Sequence, residues 1–127
     1  MQARAVYTFG PTWQDRSFKK EFKRLPADRR KQLLEELASL IETLAVCAHP
    51  TADQRLATYR PSADHVPGLK GALPLYEYRL KKLTRVIAGW HGDGEAVLMV
   101  AVTLSHDHNR LKRLIQGQTR AVGGWTP

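Results

Sequence analysis

The spacing of apolar residues changes halfway along the chain, and this change limits the fold more than any other feature. In the first half, Leu33, Leu34, Leu37, Leu40, Ile41 and Leu44 recur at helical spacing, while Arg29, Arg30, Lys31, Glu35, Glu36 and Glu42 fill the other side. In the second half, three short runs rich in Val, Leu, Ile, Tyr and Trp are separated by turn residues, the pattern of β-strands. A chain of 127 residues, 43% of them hydrophobic, suffices for one domain with its own core. The expectation is a single domain over residues 1–116 with a flexible tail over 117–127, where Gly123-Gly124 falls.

The sequence predicts a first strand over Ala3 to Phe9, closed by Gly10-Pro11. Thr12 is a candidate cap for a first helix, whose stripe is Phe18, Phe22 and Leu25, with Lys19, Lys20, Lys23 and Arg24 mainly off that stripe. Pro26 punctuates, and a second helix is expected from about Asp28 to Cys47, before Pro50. The two helices form an antiparallel hairpin. Residues 49–71 hold Pro50, Pro61 and Pro67 without steady periodicity and make a long connection, with one helical turn expected near Ala52 to Ala57. Strands are predicted over Leu73–Leu80, Thr84–His91 and Ala96–Ser105, turning at Lys81-Lys82 and at Gly92-Asp93-Gly94, followed by a short basic helix over His106–Gln116. The fold class is α+β: an N-terminal strand and helical hairpin on a mostly antiparallel sheet of about four strands, with a short C-terminal helix. The helices are expected on one sheet face, leaving the other open for function.

Charge narrows the partners. Twenty Lys and Arg stand against 12 Asp and Glu, a formal +8, which favours a polyanion such as nucleic acid, an acidic protein or an anionic membrane. The basic residues are spread along the whole chain, which disfavours a membrane surface, and no run approaches the ~20 apolar residues of a membrane span. Cys47 is the sole cysteine, so an internal disulfide is excluded, and a cysteine-based zinc site nearly so. The first residues lack the apolar run of a secretion signal, and the cytoplasm is the expected compartment.

Strand parity places Leu75, Glu77 and Arg79 on one face, with Tyr76, Tyr78 and Leu80 on the other; Arg85 and His91 share parity in the next strand. Such charges are either solvated residues of a half-exposed sheet or a working set on an open face. The segment Ser105-His106-Asp107-His108-Asn109-Arg110 sets two histidines around a carboxylate. This pattern suits proton transfer or phosphate binding. A metal reading would need His91, Asp107 or Glu77 as third ligand, and a plain strand end is the remaining alternative.

Taken together, the basic helical hairpin, Gly68-Leu69-Lys70-Gly71, Leu75-Tyr76-Glu77-Tyr78-Arg79-Leu80, Thr84-Arg85-Val86-Ile87 and the apolar strand ending in Ser-His-Asp-His resemble the RelE/ParE superfamily of type II toxins over roughly residues 3 to 115. The resemblance, closer to the RelE-like messenger-RNA interferases, implies a metal-independent endoribonuclease that acts without a cofactor. It is expected to cut mRNA on the ribosome and to bind a cognate antitoxin protein. Glu77 or His106 would be the base and His108 or His106 the acid. Arg79 and Arg85 would stabilise charge, and Lys70, Lys81, Lys82 and Arg110 would bind the RNA. The chain departs from the pattern where a tyrosine often follows the histidine segment: Asn109, Arg110 and Leu111 stand there. The connection from His49 to Gly71 is also longer than usual. The alternatives are a ParE-like toxin that inhibits DNA gyrase without chemistry, or an inactive toxin-fold binding protein.

Overall fold

The computed structural model describes residues 3–49, 55, 73–104 and 108–127, the side chains of His108 and Thr119 excepted. Strand β1 (Ala5–Thr8) leads into helices α1 (Arg16–Arg24) and α2 (Ala27–Val46). Asp15, not Thr12, starts α1: its side chain accepts the amide of Phe18 at 2.9 Å. Thr12 is buried instead, its hydroxyl donating to the Val100 carbonyl, while the Val102 amide donates to Trp13 O at 3.2 Å. The chain therefore follows the sheet for one more turn before it can wind. Leu25 ends α1 in an extended conformation because a residue before proline is pushed out of the helical region. The expected helical turn near Ala52 to Ala57 lies outside the described residues, Arg55 excepted.

Strands β2 (Leu75–Arg79), β3 (Arg85–His91) and β4 (Ala96–Thr103) complete a four-stranded sheet in the order β1-β4-β3-β2. The β2–β3 and β3–β4 pairs are antiparallel, whereas β1 runs parallel to β4, with Ala5 opposite Ala96. The β3–β4 register shifts by one: Ile87 pairs with Ala101 and Ala88 with Met99, so Val100 is the extra residue of a bulge. Val100 and Ala101 consequently both join the second core cluster. The turn from β2 to β3 holds Lys82 and Leu83 at φ 57° and 66°, and Thr84 N donates to Lys81 O at 3.3 Å. Two successive positive φ values are the geometry that matches strand twist in a tight hairpin, a geometry Asn-Gly adopts more easily than Lys-Leu.

Both sheet faces are covered. On the first, Leu33, Leu37, Leu40 and Leu44 of α2 and Phe18 of α1 pack on Tyr78, Val86, Ala88, Trp90, Val97, Met99 and Val102. The hydrophobic stripe of α2 thus lies where its spacing placed it. On the second face, Leu111 and Ile115 of α3 (His108–Gln116) and Val122 of α4 (Thr119–Gly123) cover Leu75, Ile87, Leu98, Val100 and Ala101. The expected open face is therefore corrected. Leu111, Leu114 and Ile115 give α3 an apolar edge at i, i+3 and i+4, and that edge needs a sheet to lie on. The segment expected to be a flexible tail carries α4, buries Val122 and sets Trp125 edge-on to Tyr7 and His91, with ring centroids 5.3 and 5.8 Å away. Among the described residues, no helix is long and apolar enough to cross a membrane.

Candidate functional site

The second face is apolar through its middle and polar at one end. There Arg79 pairs with Arg85, and Arg85 with Thr103, across three strands; Glu77 sits one pleat inward, opposite Ile87. Side chains two residues apart on one strand share a face, so Glu77, Arg79 and Arg85 project to the same side. Glu77 is diagonal to Arg85, a relation that puts Cβ atoms roughly 7–8 Å apart, within reach of two long side chains. Exposure divides the set: Glu77 is fully buried, Arg85 is 7% exposed, and Arg79 lies open to solvent.

The polar groups here exceed what the fold satisfies. Arg85 Nη1 donates to its neighbour's carbonyl, Thr84 O, at 3.0 Å. Its Nε is buried without a hydrogen-bond partner among the described residues. Unmade bonds on buried groups are costly, and their survival in a native site is accounted for by water, an ion or a ligand. A guanidinium with donors to spare, next to a second guanidinium and a carboxylate, can hold an anionic oxygen and stabilise charge developing on it. Thr103, fully buried and opposite Arg85, is a member of this end that strand parity alone does not reveal; its signal was a hydroxyl at the end of an otherwise apolar strand.

The remaining candidates fall in different places. Lys70 and His106 lie outside the described residues. His108 is the first residue of α3, and its side chain, like His106, lies outside the described residues, as does the face expected to be shared by the two histidines. His91 lies at the far end of β3 from Arg85, its Nδ1 3.4 Å from Glu95 Oε2. Among the described residues, no group of three His, Cys, Asp or Glu stands close enough to hold a metal.

Lys81 and Lys82 are exposed at the β2–β3 turn. That turn is fastened to α2: Lys81 N donates to Glu36 Oε2 at 2.9 Å, and Arg29 Nη2 donates to Lys81 O at 3.4 Å. Arg110, expected on RNA, is instead turned inward. Its Nη1 lies 2.9 Å from Glu21 Oε1 and its Nη2 3.6 Å from Asp15 Oδ1, with the side chain 16% exposed. Two carboxylates of the α1 segment neutralise it, and it ties α3 to the start of the helical hairpin.

No protein-family model matches the chain, and no curated protein matches it. Among solved structures it is similar to the isolated Escherichia coli RelE toxin, with 16% identity and a TM-score of 0.43, covering 88% of this chain and 99% of that one. It is also similar to a chain of the intact Escherichia coli RelBE toxin–antitoxin complex, with 18% identity and a TM-score of 0.41, covering 79% and 94%. The topology described above stands on the strand pairing of this chain alone.

Proposed function

We propose that this chain is the toxin of a type II toxin–antitoxin pair and a metal-independent endoribonuclease that cuts messenger RNA on the ribosome. The observation that carries the reading is the juxtaposition of buried Glu77, nearly buried Arg85 and exposed Arg79 at the polar end of an otherwise apolar sheet face. The motif resemblance around Leu75–Leu80 and Thr84–Ile87 and the +8 charge support it.

In this reaction the 2′-hydroxyl of one nucleotide attacks the adjacent phosphorus and the bond to the 5′-oxygen breaks, leaving a cyclic phosphate and a 5′-hydroxyl. One group takes the 2′-hydroxyl proton and another returns a proton to the leaving oxygen. Arg79, open to solvent, meets the phosphate, and Arg85 supplies a second positive charge behind it. Glu77 has no surface, so it acts by positioning Arg85, and the base is His106 and the acid His108. Lys70, Lys81 and Lys82 hold the backbone. A harmful activity on a strongly basic surface calls for an acidic antitoxin that masks it. The working unit is one domain whose second core includes the C-terminal segment through Trp125, in the cytoplasm.

The test is inducible expression with RNA 5′ ends mapped across the transcriptome, beside a gyrase supercoiling assay. New 5′ ends and growth arrest are expected from the parent, and neither from Arg85→Ala or His106→Ala, since loss of a charge-stabilising group costs ~10²–10³-fold in rate and loss of an acid or base ~10²–10⁴-fold. Growth arrest with intact RNA and inhibited supercoiling would replace this reading with a gyrase-binding toxin.

A further inference from the structure

Helix α1 carries its charge on one side only. Arg16, Lys19, Lys20, Lys23 and Arg24 fall at i, i+3, i+4, i+7 and i+8, all exposed, and together line a shallow groove of about 480 Å³. Phe18 and Phe22 face the core on the opposite side. None of the five cations pairs with a carboxylate among the described residues. The two acids of this segment that could neutralise them are drawn away: Asp15 caps the helix, and both Asp15 and Glu21 are held by Arg110. Like charges three and four residues apart repel along a helix, and Arg16 opposes the positive end of the helix dipole. The arrangement therefore works against the helix that carries it.

The cationic stripe also leads somewhere. Arg30 Nη1 donates to Lys23 O and Leu25 O at the end of α1, at 3.3 and 2.9 Å. Its neighbour Arg29 donates to Lys81 O in the β2–β3 turn. Exposed Lys81 and Lys82 follow, at the end of the strand that bears Arg79. We propose that the outward face of α1 is a docking track for an RNA phosphate backbone, which continues to exposed Lys81 and Lys82 of the β2–β3 turn and the polar end of the sheet, while Arg29, paired with Glu36 at 3.9 Å, and Arg30 brace that turn and the end of α1.

Charge complementarity selects this occupant. A row of point charges with no apolar anchor between them suits a regular polyanion, whereas a bound acidic peptide also needs pockets for its side chains. From Arg16 to Arg24 the helix rises about 12 Å, the length of three to four nucleotides at ~3.4 Å each. The choice of RNA over DNA rests on the proposed function above; the track itself does not.

The probe is a short fluorescently labelled 2′-O-methyl RNA, which keeps the backbone charge and offers no 2′-hydroxyl to react. Its Kd is read by anisotropy on the full chain between about 50 and 200 mM salt. Each phosphate contact on a single strand contributes ~0.7 to the log–log salt slope. Lys19→Gln with Lys23→Gln should lower that slope by about 1.4 and weaken binding on the order of 25-fold at 0.1 M salt, while Lys19→Arg with Lys23→Arg leaves both unchanged. Lys20→Gln alone, lowering the slope by about 0.7, keeps the test open should the double variant not fold. An unchanged slope in folded Gln variants overturns the proposal. So does displacement of the probe by polyglutamate at equal charge, which would assign α1 to an acidic protein. Cleavage of an unmodified RNA is followed separately. A parent that binds through α1 yet never cuts sinks the nuclease reading and leaves the track; one that cuts while the Gln variants bind normally does the reverse.

Discussion

If Glu77 positions Arg85, the two must be coupled energetically, and a double-mutant cycle measures that coupling directly. The four proteins are the parent, Glu77→Met, Arg85→Met and the double variant. At the ~7–8 Å diagonal spacing of an antiparallel pair, and an effective dielectric near 20, opposite charges attract by about 2 kcal/mol. Removing either charge forfeits that attraction and strands the other, whereas removing both forfeits it only once. The losses of the two single variants should therefore sum to about 2 kcal/mol more than the loss of the double variant, which is the coupling. Urea unfolding followed by tryptophan fluorescence gives the free energies. Thermal melts give an independent reading, at roughly 3–6 °C per kcal/mol for a chain of this size. If the two substitutions add to within about 0.5 kcal/mol, Glu77 and Arg85 act independently and the positioning role is refuted.

Replacing Lys82-Leu83 by Asn-Gly removes two positive-φ penalties of about 1–2 kcal/mol each, so the variant should melt several degrees higher; an unchanged or lower melting temperature would show that the turn is not strained. Arg110→Met should cost about 1–2 kcal/mol through loss of two partly buried ion pairs, and raising salt should narrow the gap to the parent. Val122→Ala should cost about 2 kcal/mol by urea unfolding, because its side chain is fully buried beneath α4. A loss below 0.5 kcal/mol would mean that the C-terminal segment contributes little to the second core.

What could be read in advance follows from the range of the interactions involved. The stripe Leu33, Leu37, Leu40 and Leu44 and the turn residues Gly92 and Gly94 are local signals, and the helix and hairpin they imply are present. The parity of Glu77 with Arg79 is local too; that Arg85 joins their face follows from the β2–β3 register, which sets it opposite Arg79. The coverage of that face was not local. It depends on α3 and α4 folding back over β3 and β4, although the apolar edge Leu111, Leu114 and Ile115 was visible in the sequence. Arg110 illustrates the same limit: nothing near it announces Asp15 and Glu21, which reach it only once the two layers are assembled. Asp15 was the better cap than Thr12 because the β4 edge claims Thr12 first, a competition invisible until the strand is in place.

The parallel pairing of β1 with β4 also sets a timetable. Strand β1 is made long before its partner Ala96–Thr103 and must wait for it. The helical hairpin can form early from contacts close in sequence, but it has no sheet to lie on until β2, β3 and β4 have paired, and closing such distant contacts is the slow, entropy-limited step of folding. On the ribosome, the helices therefore stand made with their apolar faces unsheltered until β4 emerges. The sheet closes only then, and its second side is covered once α3 and α4 follow. A nascent chain stalled before β4 would present a basic, amphipathic hairpin and no assembled pocket, so whatever this domain does must wait for β4.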